Sequence, residues 1–212
     1  MNISDKIQSI KKELPNNVTL VAVSKTKSEE EILQAYNSGH KIFGENKVQE
    51  LVEKYENLPK DIEWHMIGHL QSNKVKYIAP FVNLIHGTDS EKLLKEINKR
   101  AKQNSRTINC LLQVHIAEES TKFGFYLSEI NDIMQRSSEF ENVNIIGLMG
   151  MASFTDTISQ IEKEFCSLQR IYKDHTSFTT LSMGMSGDYK SAIQYGSNMI
   201  RLGSVIFGNR NY

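Results

Sequence analysis

Val18-Thr19-Leu20-Val21-Ala22-Val23, followed at once by Ser24-Lys25-Thr26, is the most telling stretch of this chain. The run is short and rich in β-branched residues, which suits a strand buried on both faces, as the strands of parallel sheets are. A helix is expected directly after it. Ser28 is a favourable N-cap, Glu29, Glu30 and Glu31 make an acidic first turn, and Gly39 sits where a glycine ends a helix.

The same alternation continues in both directions. Further strands are expected near Lys41–Phe43, Glu63–Ile67, Val82–His86, Asn109–Ile116, Asn144–Met149, Thr179–Ser182 and Met199–Leu202, eight in all. Helical spacing falls between them at Asn46–Glu56, Ser90–Gln103, Leu127–Ser138 and Thr157–Tyr172, and an opening helix lies near Ser4–Leu14. Strict alternation of strand and helix implies a parallel sheet. Eight units argue for an α/β fold closed into a single (β/α)8 TIM-type barrel preceded by an N-terminal helix, although an open doubly wound sheet carries the same local signature. No early GxGxxG supports the dinucleotide-binding version of that open sheet.

Composition narrows the partners. With no linker-like or low-complexity tract, residues 1–212 read as one domain. Lys plus Arg equals Asp plus Glu at 25 each, so no net field favours nucleic acid or an anionic membrane. The N-terminus lacks the apolar core of a signal peptide, and a cytoplasmic protein is expected. Two cysteines, Cys110 and Cys166, read as reduced, packed thiols. His65 and His69 are four apart but in a strand-and-turn context without a companion glutamate, so no metal site is assigned.

In a barrel, working residues gather at the C-terminal ends of the strands. There the sequence places Ser24-Lys25, Gly44-Glu45-Asn46, Gly68-His69, His86, Ser182-Met183-Gly184-Met185-Ser186 and Arg201-Leu202-Gly203-Ser204. A lysine after a strand is by itself most often a surface residue. However, Val21 and Val23 alternate with Lys25 on one face, which directs the amine into the barrel mouth if the strand extends that far. A sheltered lysine is a carbonyl nucleophile, as Schiff-base chemistry requires. Gly203 and Ser204, with Ser186 from the preceding loop, could receive a phosphate where barrels often bind one; ordinary turns are the alternative. Arg201 on the last strand would be a buried guanidinium in need of a partner. Met149, Met151, Met183 and Met185 are either core filler or contacts to a flat ring.

Together the segments Val21–Thr26, Gly44-Glu45-Asn46 with Gln49-Glu50, Trp64-His65 with Ile67–Lys74, Leu148-Met149, Leu181–Ser186 with Asp188, and Arg201-Leu202-Gly203 with Ile206-Phe207-Gly208 resemble the pyridoxal phosphate homeostasis proteins, barrels related to the N-terminal domain of alanine racemase. The resemblance spans nearly the whole chain. It implies that pyridoxal 5′-phosphate (PLP) is held as a Schiff base on Lys25, with its phosphate at Ser186, Gly203 and Ser204. By the same resemblance Arg201 faces the pyridine nitrogen, Asn46 and His65 line the pocket and Met183 lies near the ring. No catalytic residue is assigned, since an arginine opposite that nitrogen leaves the ring a weak electron sink. The implied role is a monomeric carrier that meets free amino acids or PLP-dependent apo-enzymes. Rival readings are a racemase- or decarboxylase-like PLP enzyme and an aldolase-like barrel using Lys25 on a phosphorylated sugar. A two-base racemase needs an acid/base from a further domain, which is not expected here; Tyr212 is the weak substitute.

The chain departs from the family pattern in several places, among them a segment before Val18 that is shorter than typical. Gly87-Thr88 stands in His86-Gly87-Thr88-Asp89 where Ser-Val is usual, and His115 stands where asparagine is usual. The loop Ala117-Glu118-Glu119-Ser120-Thr121-Lys122-Phe123-Gly124-Phe125 is also altered, so the contacts of the loops after the fourth and fifth strands stay unassigned.

Overall fold

A computed structural model describes residues 2–119 and 123–208. The chain opens with α1 (Ile3–Glu13), capped by the Asn2 side chain on the Asp5 N–H. Then follow β1 (Thr19–Val23), α2 (Glu29–Asn37), β2 (Ile42–Glu45), α3 (Val48–Asn57), β3 (Glu63–Met66), α4 (Val75–Ile78), β4 (Leu84–Thr88) and α5 (Glu91–Gln103). The second half runs β5 (Ile108–Val114), α6 (Ile130–Gln135), β6 (Val143–Gly150), α7 (Ile158–Asp174), β7 (Thr180–Ser182), α8 (Tyr189–Gln194), β8 (Met199–Leu202) and α9 (Ser204–Phe207). Ser28 and Glu31 form a reciprocal capping box at the start of α2, as their spacing predicts.

The strands close in chain order into a parallel barrel. Closure is made by β8 on β1, with Thr19 opposite Met199 and Val21 opposite Arg201. That pairing excludes the open sheet. Inside the barrel Val21, Ile67, Leu84, Leu111, Met149 and Met199 form a small apolar cluster, while a far larger one fills the layer between strands and helices. Val21 faces inward and its neighbours Leu20 and Ala22 face the helices, which is the period-two alternation of a barrel strand.

Two expected elements differ. The fourth strand begins at Leu84, because Val82 caps the turn after α4 by donating its N–H to Ile78 O at 2.8 Å and packs in the outer layer. The helix expected over Leu127–Ser138 is broken into 3-10 turns at Leu127–Glu129 and Ser137–Glu139 around α6. There Arg136 pairs with Glu91 of α5 at 2.8 Å and with Glu139 at 3.0 Å. Cys110 is buried and Cys166 half-buried, both as free thiols. No helix among the described residues is long and apolar enough to cross a membrane.

Candidate functional site

The C-terminal ends of the strands surround a cavity of about 830 Å³. Lys25, Asn46, Ser186, Arg201, Gly203 and Ser204 line it, joined by Lys27, His69, Gln113, Met151, Phe154 and Met185. The lining thus contains three basic side chains, Lys25, Lys27 and Arg201, and no carboxylate among the described residues.

Lys25 is half-buried in a turn just past β1, one step beyond Val23 on the same inward face. The turn is closed by Lys27 N–H donating to Ser24 O at 3.0 Å. Thr26 at its corner has φ 63, a left-handed conformation that costs a non-glycine residue energy and needs outside support. Support comes from below. The Thr26 N–H donates to Glu50 Oε1 at 2.5 Å, and Lys54 Nζ donates to Ser24 O at 2.8 Å, Glu45 Oε1 at 2.8 Å and Glu50 Oε1 at 2.7 Å. Ser24 Oγ also donates to Glu45 Oε1, at 2.6 Å. Glu45 from β2 and Lys54 from α3 are both buried, and burial raises the Glu45 pKa against the opposing pull of Lys54. A buried ion network therefore holds both flanks of Lys25.

Arg201 on β8 is buried, and desolvation lowers its pKa to about 10, so it remains a cation at neutral pH. It donates from Nη1 to Ser182 Oγ at 2.5 Å and from Nη2 to Gly150 O at 3.1 Å. Ser182 Oγ also lies 3.1 Å from His86 Nδ1, and His86 Nε2 lies 3.1 Å from His65 Nδ1. Burial keeps both rings neutral, pushing His65 down to about 3 and His86 well below the usual histidine range. His65 accordingly does not line the cavity; it belongs to a column of polar groups that ends at Arg201. Met183 does not line it either. It is fully buried in the layer between barrel and helices, while Met185, two residues on, faces the cavity.

Gly203 and Ser204 begin α9, and the leading N–H groups of a helix have no acceptor within it. Ser186 and Gly187 lie in the turn before α8, which Asp188 closes by accepting from the Met185 N–H at 2.6 Å. The cavity wall therefore offers hydroxyl and backbone donors near three cations. Such a donor set fits a phosphorylated ligand with a carbonyl for Lys25 to attack. The volume falls in the ordinary range for a cofactor-sized molecule.

Sequence reasoning missed Lys27, Phe123 and Phe154, which arrive on turns and loops whose path no periodicity encodes, and Gln113, which sits near the end of β5. It also passed over Lys54, whose place in a lysine-and-glutamate helix resembles a solvated face. The altered-loop residues Ser120, Thr121 and Lys122, and the proposed substitute Tyr212, lie outside the described residues.

An amine, a buried guanidinium and glycine–serine turns at the mouth of a closed parallel barrel define a barrel of the alanine racemase type. The family described as "Alanine racemase, N-terminal domain" matches residues 1–211. An alanine racemase from E. faecalis has the same fold at a TM-score of 0.80 and 17% identity, over 98% of this chain and 58% of that one. Within this class the chain belongs to the pyridoxal phosphate homeostasis protein family. The Aquifex aeolicus protein of that name is 37% identical over 93% of this chain and 89% of its own length. PipY of Synechococcus elongatus PCC7942, solved with PLP bound, is 31% identical at a TM-score of 0.89 over 98% of this chain and 100% of that one.

Proposed function

We propose that this protein binds PLP in the cavity at the barrel mouth, bonded to Lys25, and serves PLP homeostasis and amino-acid metabolism without robust turnover. The observation that carries this reading is the lining itself: Lys25 on the inward face just past β1, hydroxyl and backbone donors, and Lys27 and Arg201 beside them, with no carboxylate among the described residues. When bound, the cofactor supplies an aldehyde and an aromatic ring that withdraws electrons. The remaining work falls to the chain. Lys25 Nζ provides the bonding amine, held in place by the network through Glu45, Glu50 and Lys54. Ser186, Gly203 and Ser204 donate to phosphate oxygens, with Lys27 adding charge nearby. Arg201 donates toward the ring nitrogen and never accepts, which keeps that nitrogen unprotonated and limits carbanion chemistry. Asn46 flanks the ring, and Met185 rather than Met183 is the methionine in reach. As a cytoplasmic monomer the protein would exchange PLP with free amino acids or PLP-dependent apo-enzymes.

The test is direct. Purified protein given PLP is expected to turn yellow, and borohydride should fix the cofactor's mass to the peptide carrying Lys25. Lys25→Ala should lose both. A protein that stays colourless with added PLP would overturn the reading, and rapid α-deuterium exchange into L-amino acids would replace the carrier with a racemase-like enzyme.

A further inference from the structure

A second cavity, of about 450 Å³, lies against the first. His69 and Phe123 line both, with their rings stacked at 4.1 Å and 17°, and form the partition between them. The remaining lining is Asp89, Ser90, His115, Gly124 and Tyr126. Asp89 and Ser90 follow β4, while His115 and Gly124 belong to the altered stretch after β5 and Tyr126 flanks it. The charge is the reverse of the cofactor cavity: one carboxylate and, among the described residues, no lysine or arginine.

Hydrogen-bond direction can be assigned around this cavity. His69 Nδ1 lies 2.8 Å from Asp89 Oδ2, and a carboxylate only accepts, so Nδ1 carries the hydrogen. In the neutral ring Nε2 is then an acceptor. His115 Nε2 lies 2.9 Å from Glu119 O, and a carbonyl only accepts, so Nε2 carries the hydrogen and Nδ1 is the acceptor. Asp89 also accepts from Ser90 Oγ at 3.2 Å, so its described donors are an imidazole N–H and a hydroxyl. The cavity lining thus includes a carboxylate and two imidazoles, each of which, when neutral, keeps one nitrogen as an acceptor. The Phe123 and Tyr126 rings, 55% and 66% exposed, add faces that attract cations.

From this arrangement we infer that the second cavity binds the ammonium group of an aliphatic primary amine, next to the cofactor. Three N–H donors with no acceptor match a site made of acceptors. The inference rests on the proposed function, since the site would hold an amine beside the cofactor cavity. It also explains the partition: a ligand would keep its ammonium at Asp89 and extend its chain past the His69–Phe123 pair toward the cationic cavity. A carboxylate or an alcohol of the same length lacks the charge to bind there.

The test titrates the protein with n-butylamine, butyrate or n-butanol at about pH 8, above the ordinary histidine range, while the ring-proton NMR signals of His69 and His115 are followed. Protein with and without PLP is used. Saturable shifts of both rings are expected with n-butylamine alone, in both forms. Asp89→Asn should raise the midpoint about tenfold, and His115→Asn, the residue usual in the family, by a smaller factor. Both variants should still turn yellow with PLP. No shift, an equal shift from n-butanol, or an unchanged midpoint in both variants would overturn the amine site. Colour is read separately: a yellow protein without shifts removes this site alone, whereas shifts in a protein that never takes up PLP remove the proposed function and leave the amine site standing.

Discussion

Lys54 sits under the turn that carries Lys25, and its surroundings set the outcome of removing it. Lys54→Met would leave Glu45 buried without its cation and release Ser24 O and Glu50 from one side of the turn. Breaking a buried pair by deleting one partner costs about 3–5 kcal/mol, so urea unfolding should show a loss of that order. The pH dependence is fixed in sign. The folded-state pKa of Glu45 is already raised by burial, and without Lys54 it rises further. Between the unfolded value near 4.3 and that raised value the folded state holds the extra proton, so the stability lost in the variant should return as pH falls through this window. At this scale Lys25 was legible because alternation along one strand carries its direction. Met183 was not: the turn that starts at Gly184, with φ 98, breaks the alternation and gives the cavity to Met185.

Among the elements, β6 shows how close the barrel strands come. The register between β5 and β6 shifts after Cys110, so that Leu111 faces Gly147 and Ile146 is the extra residue. A Cβ at Gly147 would stand 1.7 Å from Thr180 O on β7, a contact that only backbone movement can relieve. Gly147→Ala is therefore expected to lower the thermal unfolding midpoint by many degrees or to prevent folding, because the two strands would have to separate where they pair. Most elements were legible as periods and caps, down to the Ser28–Glu31 box. The register shift was not, since it depends on which neighbour a strand meets. The 3-10 break after α6 escaped for a similar reason, since it adjoins Arg136, whose partner Glu91 lies on α5.

For the molecule as a whole, closure of the ring could be counted from eight strands but only the β8–β1 pairing settles it. What closure encloses has a pH signature. His65 and His86 are held neutral, with His65 down at about 3, whereas in the unfolded chain both titrate near 6.5. The unfolded state binds more protons in that window, so stability should be full above about pH 6.5 and fall as the solution is acidified below it. His86→Gln should flatten that fall by about one proton when unfolding free energy is plotted against pH. The same two rings tie distant parts of the barrel to one another. A neutral His86 owns a single N–H yet has neighbours on both nitrogens, so it can give to Ser182 or to His65 but not to both. The tautomer at His65 and the rotor of the Ser182 hydroxyl are consequently one choice, and a change made at His65, outside the cavity lining, is transmitted to the guanidinium that lines it.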